Sequence, residues 1–336
     1  MKIKGGNMVS GGSDTDKLRA IIYGTHGDEQ NEIESFDVIP TGIPTLDKIL
    51  GGGFILGGTV EIAGLEASGK STLAAMVTAQ AQKKGYPVIY LDTEAAMSIA
   101  RLKNIGVKTE DLIYMQPRCL EDVYNMVKTV VKSKIVDKAF TGPALIVWDS
   151  LAATPALKEV ESEDYDKEMA IRARVNSAGL RKLIVPLSEA KVCFLIVNQY
   201  RENVGQMFGD KYLTPGGHGP KYAAIQRLKM ANAGNYDIDK AAGIVGKKID
   251  FKTIKNKIHQ PLLECTSIFN NNLGMFDPVQ TAFEHLKENK RINSSGPTWI
   301  LNLNEDLGNQ EGVIKFKRTE FGQVYEENKQ RIYEVL

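Results

Sequence analysis

From Ile39 onward, short runs of β-branched and aliphatic residues alternate with longer stretches in which apolar positions recur at helical spacing. Alternation of this kind predicts an α/β fold, a largely parallel sheet covered by helices. The apolar runs place strands at Val60–Ala63, Val88–Asp92, Leu145–Asp149, Val192–Asn198 and Ile249–Asn256. The amphipathic stretches place helices at Ser71–Lys84, Leu120–Ser133 and Lys167–Leu187, the first closed by Gly85 and Pro87 in the usual manner of helix ends. Residues 1–35 are rich in glycine and acidic side chains, with only Lys17–Tyr23 suggesting a short helix. They read either as an N-terminal arm that serves oligomerisation or as a disordered tail. After Asn270 the pattern loosens into loops, a helix near Thr281–Lys290 and a charged tail. The expected organisation is an arm over 1–35, a core over 36–272 and a small C-terminal subdomain over 273–336.

Composition narrows the class without naming it. A chain of 336 residues, 43% hydrophobic, suits one large or two modest domains with a substantial core. The 42 basic and 41 acidic residues leave a net charge of +1, so any grip on nucleic acid has to come from local patches. Cys119, Cys193 and Cys265 are isolated, which argues for buried thiols in a reduced compartment, and no pair has metal-ligand spacing. The four histidines are scattered, which speaks against a zinc site. With no secretory start and no long apolar run, the chain is expected to be soluble and intracellular, without a membrane partner.

The first chemistry lies between the Val60 strand and the Ser71 helix. Gly64-Leu65-Glu66-Ala67-Ser68-Gly69-Lys70-Ser71, followed by Thr72, satisfies G-x-x-x-x-G-K-[ST] in the required strand-to-helix setting. Glycines at both ends let backbone N–H groups turn inward around phosphates, and the helix N-terminus adds the positive end of its dipole. Lys70 reaches the β and γ oxygens, and Ser71 offers a hydroxyl to Mg²⁺. A nucleotide triphosphate is therefore expected here.

Three further strand ends supply the remaining chemistry. Ala144-Leu145-Ile146-Val147-Trp148-Asp149 delivers an acid positioned to hold Mg²⁺. Val88-Ile89-Tyr90-Leu91-Asp92-Thr93-Glu94 delivers two acids at a tip where ligands of open α/β sheets bind. Glu94, the outermost, is assigned as the general base that polarises the attacking water, with Asp92 as a partner. Phe194-Leu195-Ile196-Val197-Asn198-Gln199 ends in an amide. Gln199 either senses the γ-phosphate or satisfies loop backbone; local sequence leaves both readings open.

Behind Gln199 comes a stretch too long for a plain connector, holding five glycines and two prolines between Tyr200 and Lys221. Arg201 supplies charge, Val204, Met207 and Phe208 can wedge between bases, and Gly209, Gly216 and Gly217 give backbone freedom. Those are the ingredients of a single-strand-binding loop. Upstream, Arg174, Ser177 and Arg181 fall along one helix face and can follow successive phosphates, although a solvated face is the ordinary reading. The acidic run Glu159–Glu168 counts against a simple basic groove. Lys255 and Lys257 share one side of a strand end, either to serve a phosphate, including one held by a neighbouring subunit, or as an ordinary charged edge.

Together these segments resemble the RecA family of DNA strand-exchange recombinases, including its phage relatives of the UvsX type. The resemblance runs through "IPTGIPTLDKILGGG", "GLEASGKST", "YLDTEAA", "VWDSLAATPALKEVE", "RARVNSAGLRKL", "FLIVNQYRENVGQMFG", "TPGGHGPKYAA" and "KTIKNKI", roughly residues 37–275. The cradle is shared by many NTPases; the later segments are far more specific. The resemblance implies a RecA-type ATPase core that binds ATP and Mg²⁺ and hydrolyses ATP in a DNA-dependent way. It implies helical filaments on single-stranded DNA, pairing with homologous duplex, and possible single-strand-binding and loader proteins. By position it makes Glu94 the catalytic glutamate, Asp149 the Mg²⁺-coordinating acid and Gln199 the γ-phosphate glutamine. Met169, Arg174, Ser177 and Arg181 match the first DNA-contacting loop and its helix, and Val204 to Gly217 the second loop. Lys255 and Lys257 match a pair that reaches a neighbour's ATP, and Tyr222 an interface aromatic.

Departures accompany the match. Arg101 stands where the family's adenine-stacking aromatic is expected, and a guanidinium can also stack on a base. The arm is unlike the bacterial pattern, and the region after about residue 275 is expected not to match the usual bacterial C-terminal domain. Both differences favour a phage or divergent member, acting in a bacterial or host cytoplasm. A hexameric helicase of the same superfamily and an ATP-switched repair mediator are the alternatives. The TPGG and KNK segments oppose the first, and an intact Glu94 opposes the second.

Overall fold

The structure, a computed structural model, describes residue 18 and residues 36–162, 168–202, 212–239, 243–309 and 312–336. The chain divides into two units, 1–36 and 37–336. Of the first, Leu18, which is helical, and Phe36 are described; the rest of the expected arm lies outside the described residues.

In the second unit, a short antiparallel pair, β1 (Val38–Ile39) and β2 (Phe54–Ile55), brackets helix α1 (Pro44–Leu50) in sequence. The main sheet takes β3 (Gly58–Gly64), β4 (Val88–Asp92), β5 (Leu112–Met115), β6 (Ala144–Asp149) and β7 (Val192–Gln199). A two-stranded ribbon, β8 (Arg201–Glu202) with β9 (Tyr212–Leu213), follows. The sheet is completed by β10 (Gln226–Asp239), β11 (Ile244–Asn256), β12 (Glu264–Asn270) and β13 (Met275–Phe276), giving the order β13-β12-β11-β10-β3-β7-β6-β4-β5. Neighbours from β10 to β5 run parallel, while β10 to β13 form an antiparallel extension. The mostly parallel α/β core is thus as expected.

Strand β10 and the first part of β11 escape the sequence pattern. Asn232, Gly234 and Asn235 carry turn chemistry, and the β10–β11 ladder shifts register between Arg227 and Leu228, Asn232 and Gly234, and Asp237 and Asp239.

Period-two alternation divides the parallel strands between two cores. Leu145, Val147, Leu195 and Val197 pack with helix α2 (Lys70–Lys83) and α3 (Ile99–Ile105). Ala144, Ile146, Trp148, Phe194 and Ile196 pack with α4 (Leu120–Ile135) and α6 (Glu168–Glu189), which follows the short α5 (Leu157–Glu161). Burial on both faces is why these strands read as unbroken apolar runs. It also makes the tips of β4, β6 and β7 junctions between the α2 face and the α6 face.

The region after Asn270 is more ordered than its sequence texture suggests. Beyond α7 (Gly219–Ala223), helix α8 (Pro278–Glu288) starts at Asp277, whose carboxylate accepts from Gln280 N. It packs with an antiparallel sheet of β14 (Ile292–Ser295), β15 (Thr298–Leu301) and β16 (Ile314–Lys317), then α9 (Phe321–Glu327) and α10 (Lys329–Val335). Phe283, Phe316, Phe321 and Tyr325 centre this third core. Its strands are four residues long, and β14 and β16 expose polar positions, so they are too short to register as strands by pattern alone.

Candidate active site

The cradle spans the end of β3 to the start of α2. A Cβ on Gly64 would stand 2.6 Å from the Met230 carbonyl oxygen. Gly69, with φ of +86°, caps α2, and a Cβ there would stand 2.9 Å from Phe276 Cζ. The antiparallel extension therefore walls the loop on one side, through β10 and β13. Ser68 Oγ and Lys70 Nζ both donate to the Leu65 carbonyl, at 2.8 and 2.7 Å, folding the loop on itself. Burial lowers the Lys70 pKa, and Asp149, Glu94 and Glu66 act against that shift. Lys70 thus sits among the acids expected to work with it.

Asp92, Asp149 and Val197 are register partners across β4, β6 and β7, so the strand tips lie side by side. Tyr90 Oη donates to Asp149 Oδ2 at 2.9 Å. Oδ1 is buried and has no hydrogen-bond partner among the described residues. Burial raises the Asp149 pKa from its ordinary 3.8 to about 6, opposed by the nearby Ser71 and Tyr90 hydroxyls. The Ser71 hydroxyl stands close without making a hydrogen bond of ordinary geometry to Oδ1. A buried carboxylate oxygen without a partner, with a hydroxyl beside it, fits the oxygen donor set of Mg²⁺.

Asp92 has a different part. Its carboxylate accepts from Glu94 N at 3.0 Å, Met97 N at 3.2 Å and Tyr114 Oη at 2.6 Å. It is committed to the loop after β4 and so helps to position the Glu94 backbone. Glu94 Oε1 accepts from Ser150 Oγ and, at 3.3 Å, from Gln199 Nε2. Both donors fall on one oxygen, and Glu94 is exposed, so a water can reach its carboxylate. A hydroxyl network stabilises the arrangement: Thr93 Oγ1 donates to Ser150 O at 2.9 Å, and Trp148 Nε1 donates to Thr154 Oγ1 at 2.9 Å. Thr93, Ser150, Thr154, Tyr90 and Tyr114 were not singled out from sequence. For all but Tyr114 the signal is a hydroxyl near a strand-end acid in "YLDTE" and "WDSLAAT"; Tyr114 arrives from β5 and lies in neither segment.

Arg101 lies on α3, and its Nη2 donates to Thr72 Oγ1 at 2.8 Å, on the first turn of α2. Beside it is a cavity of about 450 Å³ that Arg101, Phe269 and Gly274 help to line. Phe269 Cδ2 is 3.6 Å from where a Cβ on Gly69 would be. An aromatic ring thus borders the cavity next to the cradle, contributed by β12 instead of the helix that carries Arg101.

A sequence profile of the RecA N-terminal domain matches residues 21–273. The chain belongs to the RecA family. It is 38% identical to Protein RecA of Wolbachia pipientis over 248 residues, 74% of this chain and 67% of that protein. Identity to Protein RecA of Thermus thermophilus is 38% over 247 residues, 73% and 70% of the two chains. Protein RecA 2 of Myxococcus xanthus is 32% identical over 294 residues, 87% of this chain and 79% of its own length. That last alignment is longer than the stretch before residue 275, so it extends past that residue. RecA-family membership carries ATP-dependent strand exchange in recombination and repair. It also carries nucleotide binding, DNA-dependent ATPase activity, single-stranded DNA binding and filament formation in general terms.

The other RecA-matched residues are distributed as follows. Arg174 and Arg181 are exposed on α6, while Ser177 is half-buried, its backbone 2.9 Å from where a Cβ on Gly219 would be. Glu159, within the acidic run, is paired with Arg172 at 2.6 Å, so that charge is offset locally. Arg201 is exposed on β8. Val204, Met207, Phe208 and Gly209 lie outside the described residues, as does the side chain of Met169. Gly216 and Gly217 form a stem packed against Leu151 and Ala173.

Lys255 and Lys257 are not brought to the chain's own cradle. Lys255 pairs with Arg227 across β11 and β10, and Arg227 pairs with Glu61, three residues before Gly64 on β3. At strand rise this is roughly 10 Å below the loop. Lys255 Nζ instead donates to the Lys221 and Tyr222 carbonyls, both at 3.1 Å, beside an exposed Tyr222 ring. Among the described residues, no helix is long and apolar enough to cross a membrane.

Proposed function

We propose that ATP bound in the Gly64–Thr72 cradle is hydrolysed by Glu94, and that its γ-phosphate controls the grip of the Gln199–Gly217 segment on single-stranded DNA. The observation that carries this reading is the Gln199 Nε2 contact to Glu94 Oε1, at 3.3 Å. It joins the first residue of the DNA-facing segment to the base that positions water. Lys70 holds the β and γ oxygens, and Ser150 and Gln199 orient Glu94 so that its carboxylate accepts the proton of the attacking water. Ser71 and Asp149 would hold Mg²⁺, which supplies charge neutralisation at the phosphates when bound. Arg101 and Phe269 border the base cavity, with Phe269 supplying the aromatic surface that position 101 lacks.

Lys255 and Lys257, remote from their own cradle, serve the ATP of the next molecule, so that a filament completes each site. Arg174, Ser177 and Arg181, together with Met169, Arg201, Val204, Met207, Phe208, Gly209, Gly216 and Gly217, line the DNA path. The domain roles follow: 1–35 as arm, 36–272 as ATPase core, 273–336 as an accessory subdomain. Single-strand-binding and loader proteins are the expected auxiliary partners, in a bacterial cytoplasm or that of a phage host.

Turnover measured with and without single-stranded DNA tests this reading. The expected result is slow basal hydrolysis that rises on adding DNA and saturates. A rate indifferent to DNA contradicts it.

A further inference from the structure

We propose that Asn198 is the positioning residue that carries the state of the nucleotide site through the sheet to the stem of the glycine-rich segment. The proposal rests on the reading of Gln199 as sensor. Asn198 and Gln199 are consecutive at the end of β7, so their side chains leave on opposite faces. Val197 and Leu195, on the side of Gln199, belong to the core beneath α2. Ile196 and Phe194, on the side of Asn198, belong to the core beneath α4 and α6. One residue therefore looks at the nucleotide and the next at the DNA-facing layer.

Asn198 is fully buried and both ends of its amide are hydrogen-bonded. Nδ2 donates to Glu61 Oε1 at 2.9 Å and to the Pro215 carbonyl at 3.1 Å, and Oδ1 accepts from Gln199 N at 3.0 Å. Glu61 is itself fully buried and ion-paired to Arg227, Oε2 to Nε, at 2.5 Å. A buried pair of this kind is a fixed point, because moving either partner alone strands the other charge away from water. Asn198 therefore links Pro215, in the stem of the glycine-rich segment, to the buried Glu61–Arg227 pair, and both to the backbone of Gln199.

The stem has little slack to absorb a shift. A Cβ on Gly216 would stand 2.7 Å from Leu151 Cδ2, two residues beyond Asp149, and one on Gly217 would stand 2.7 Å from Ala173 Cβ, next to Arg174. Asn176 Nδ2, buried and without a partner among the described residues, lies 3.1 Å from that Gly216 position. A displaced stem has a second donor waiting for one of its carbonyls. When Gln199 is drawn toward a γ-phosphate, Asn198 passes the movement of the strand end to Pro215, and the stem resettles against α6.

The test is the affinity of the full chain for labelled single-stranded DNA, with and without a non-hydrolysable ATP analogue, in wild type and Asn198→Ala. Nucleotide affinity without DNA and the unfolding midpoint are measured alongside. The analogue is expected to tighten wild-type DNA binding by roughly 5- to 150-fold, the usual size of coupling between two sites. In Asn198→Ala that gain is expected to collapse toward none while nucleotide affinity and nucleotide-free DNA affinity persist. A variant that keeps the wild-type gain, even with a lowered unfolding midpoint, shows a merely structural amide and overturns the proposal while the sensor reading stands. No gain in wild type overturns the sensor reading and the proposal with it. Should Asn198→Ala not fold, Asn198→Ser keeps a polar group near Glu61 but is too short to span to Pro215, and the same outcomes apply.

Discussion

Replacing Glu94 with Gln is expected to lower ATP turnover by about 10²- to 10⁴-fold, the usual contribution of a placed general base. Gln has the same length and keeps a carbonyl oxygen to accept from Ser150 Oγ and Gln199 Nε2. What it loses is the second, basic oxygen. The loop should stay in place, because Asp92 holds it through the Glu94 and Met97 backbone and not through the Glu94 side chain. Nucleotide affinity and nucleotide-dependent DNA binding should therefore survive, leaving a protein that binds ATP, grips DNA and rarely lets go. Single-turnover hydrolysis is the appropriate readout, with nucleotide affinity measured on the same sample. Turnover within about tenfold of wild type would fall below the range for general-base catalysis and would move the base elsewhere.

Asp149→Asn is expected to do two opposite things. Without a charged oxygen to pair with Ser71, metal-dependent turnover should fall by at least about 10²-fold, while the metal-free, nucleotide-free protein becomes more stable at pH 8. The second effect follows from burial, which raises the Asp149 pKa to about 6 from an ordinary 3.8. Below pH 3.8 the carboxyl is protonated in both folded and unfolded chains, and its favourable contribution is fully present. As pH rises through about 6, the folded state must ionise a buried group and that contribution is lost. The loss amounts to about 1–3 kcal/mol. Asn has no proton to lose, so the variant should have the higher denaturant midpoint at pH 8, and the difference should vanish below pH 3.8. Equal midpoints at pH 8 would mean that the orphaned oxygen costs nothing.

Much of the nucleotide half of the site was legible in the chain because its signals are local. Glycines that must turn, a lysine at fixed spacing and acids at the ends of apolar runs report their positions without reference to the rest of the fold. What the strand pattern missed was set by distant partners. Phe276 and Met230 wall the cradle, yet Phe276 sits in a two-residue strand and Met230 in an irregular one. Phe269 reaches the cavity beside Arg101 from β12, a placement that only the antiparallel extension creates. Glu61 and Arg227 look like ordinary charges in two separate strands until β3 and β10 pair and bury both. The loop stem follows the same rule: Gly216 and Gly217 suggested flexibility by composition, whereas their close packing against Leu151 and Ala173 makes them points of tight contact.

On the proposed function, one chain holds an incomplete ATP site, which a second copy completes with Lys255 and Lys257 on a DNA-bound filament. Negative-stain microscopy of the full chain with single-stranded DNA and a non-hydrolysable ATP analogue tests it most directly. The predicted result is continuous helical filaments that shorten or disappear when Lys255 and Lys257 are both replaced by Ala. Closed rings, or no assembly at all on DNA, would contradict it.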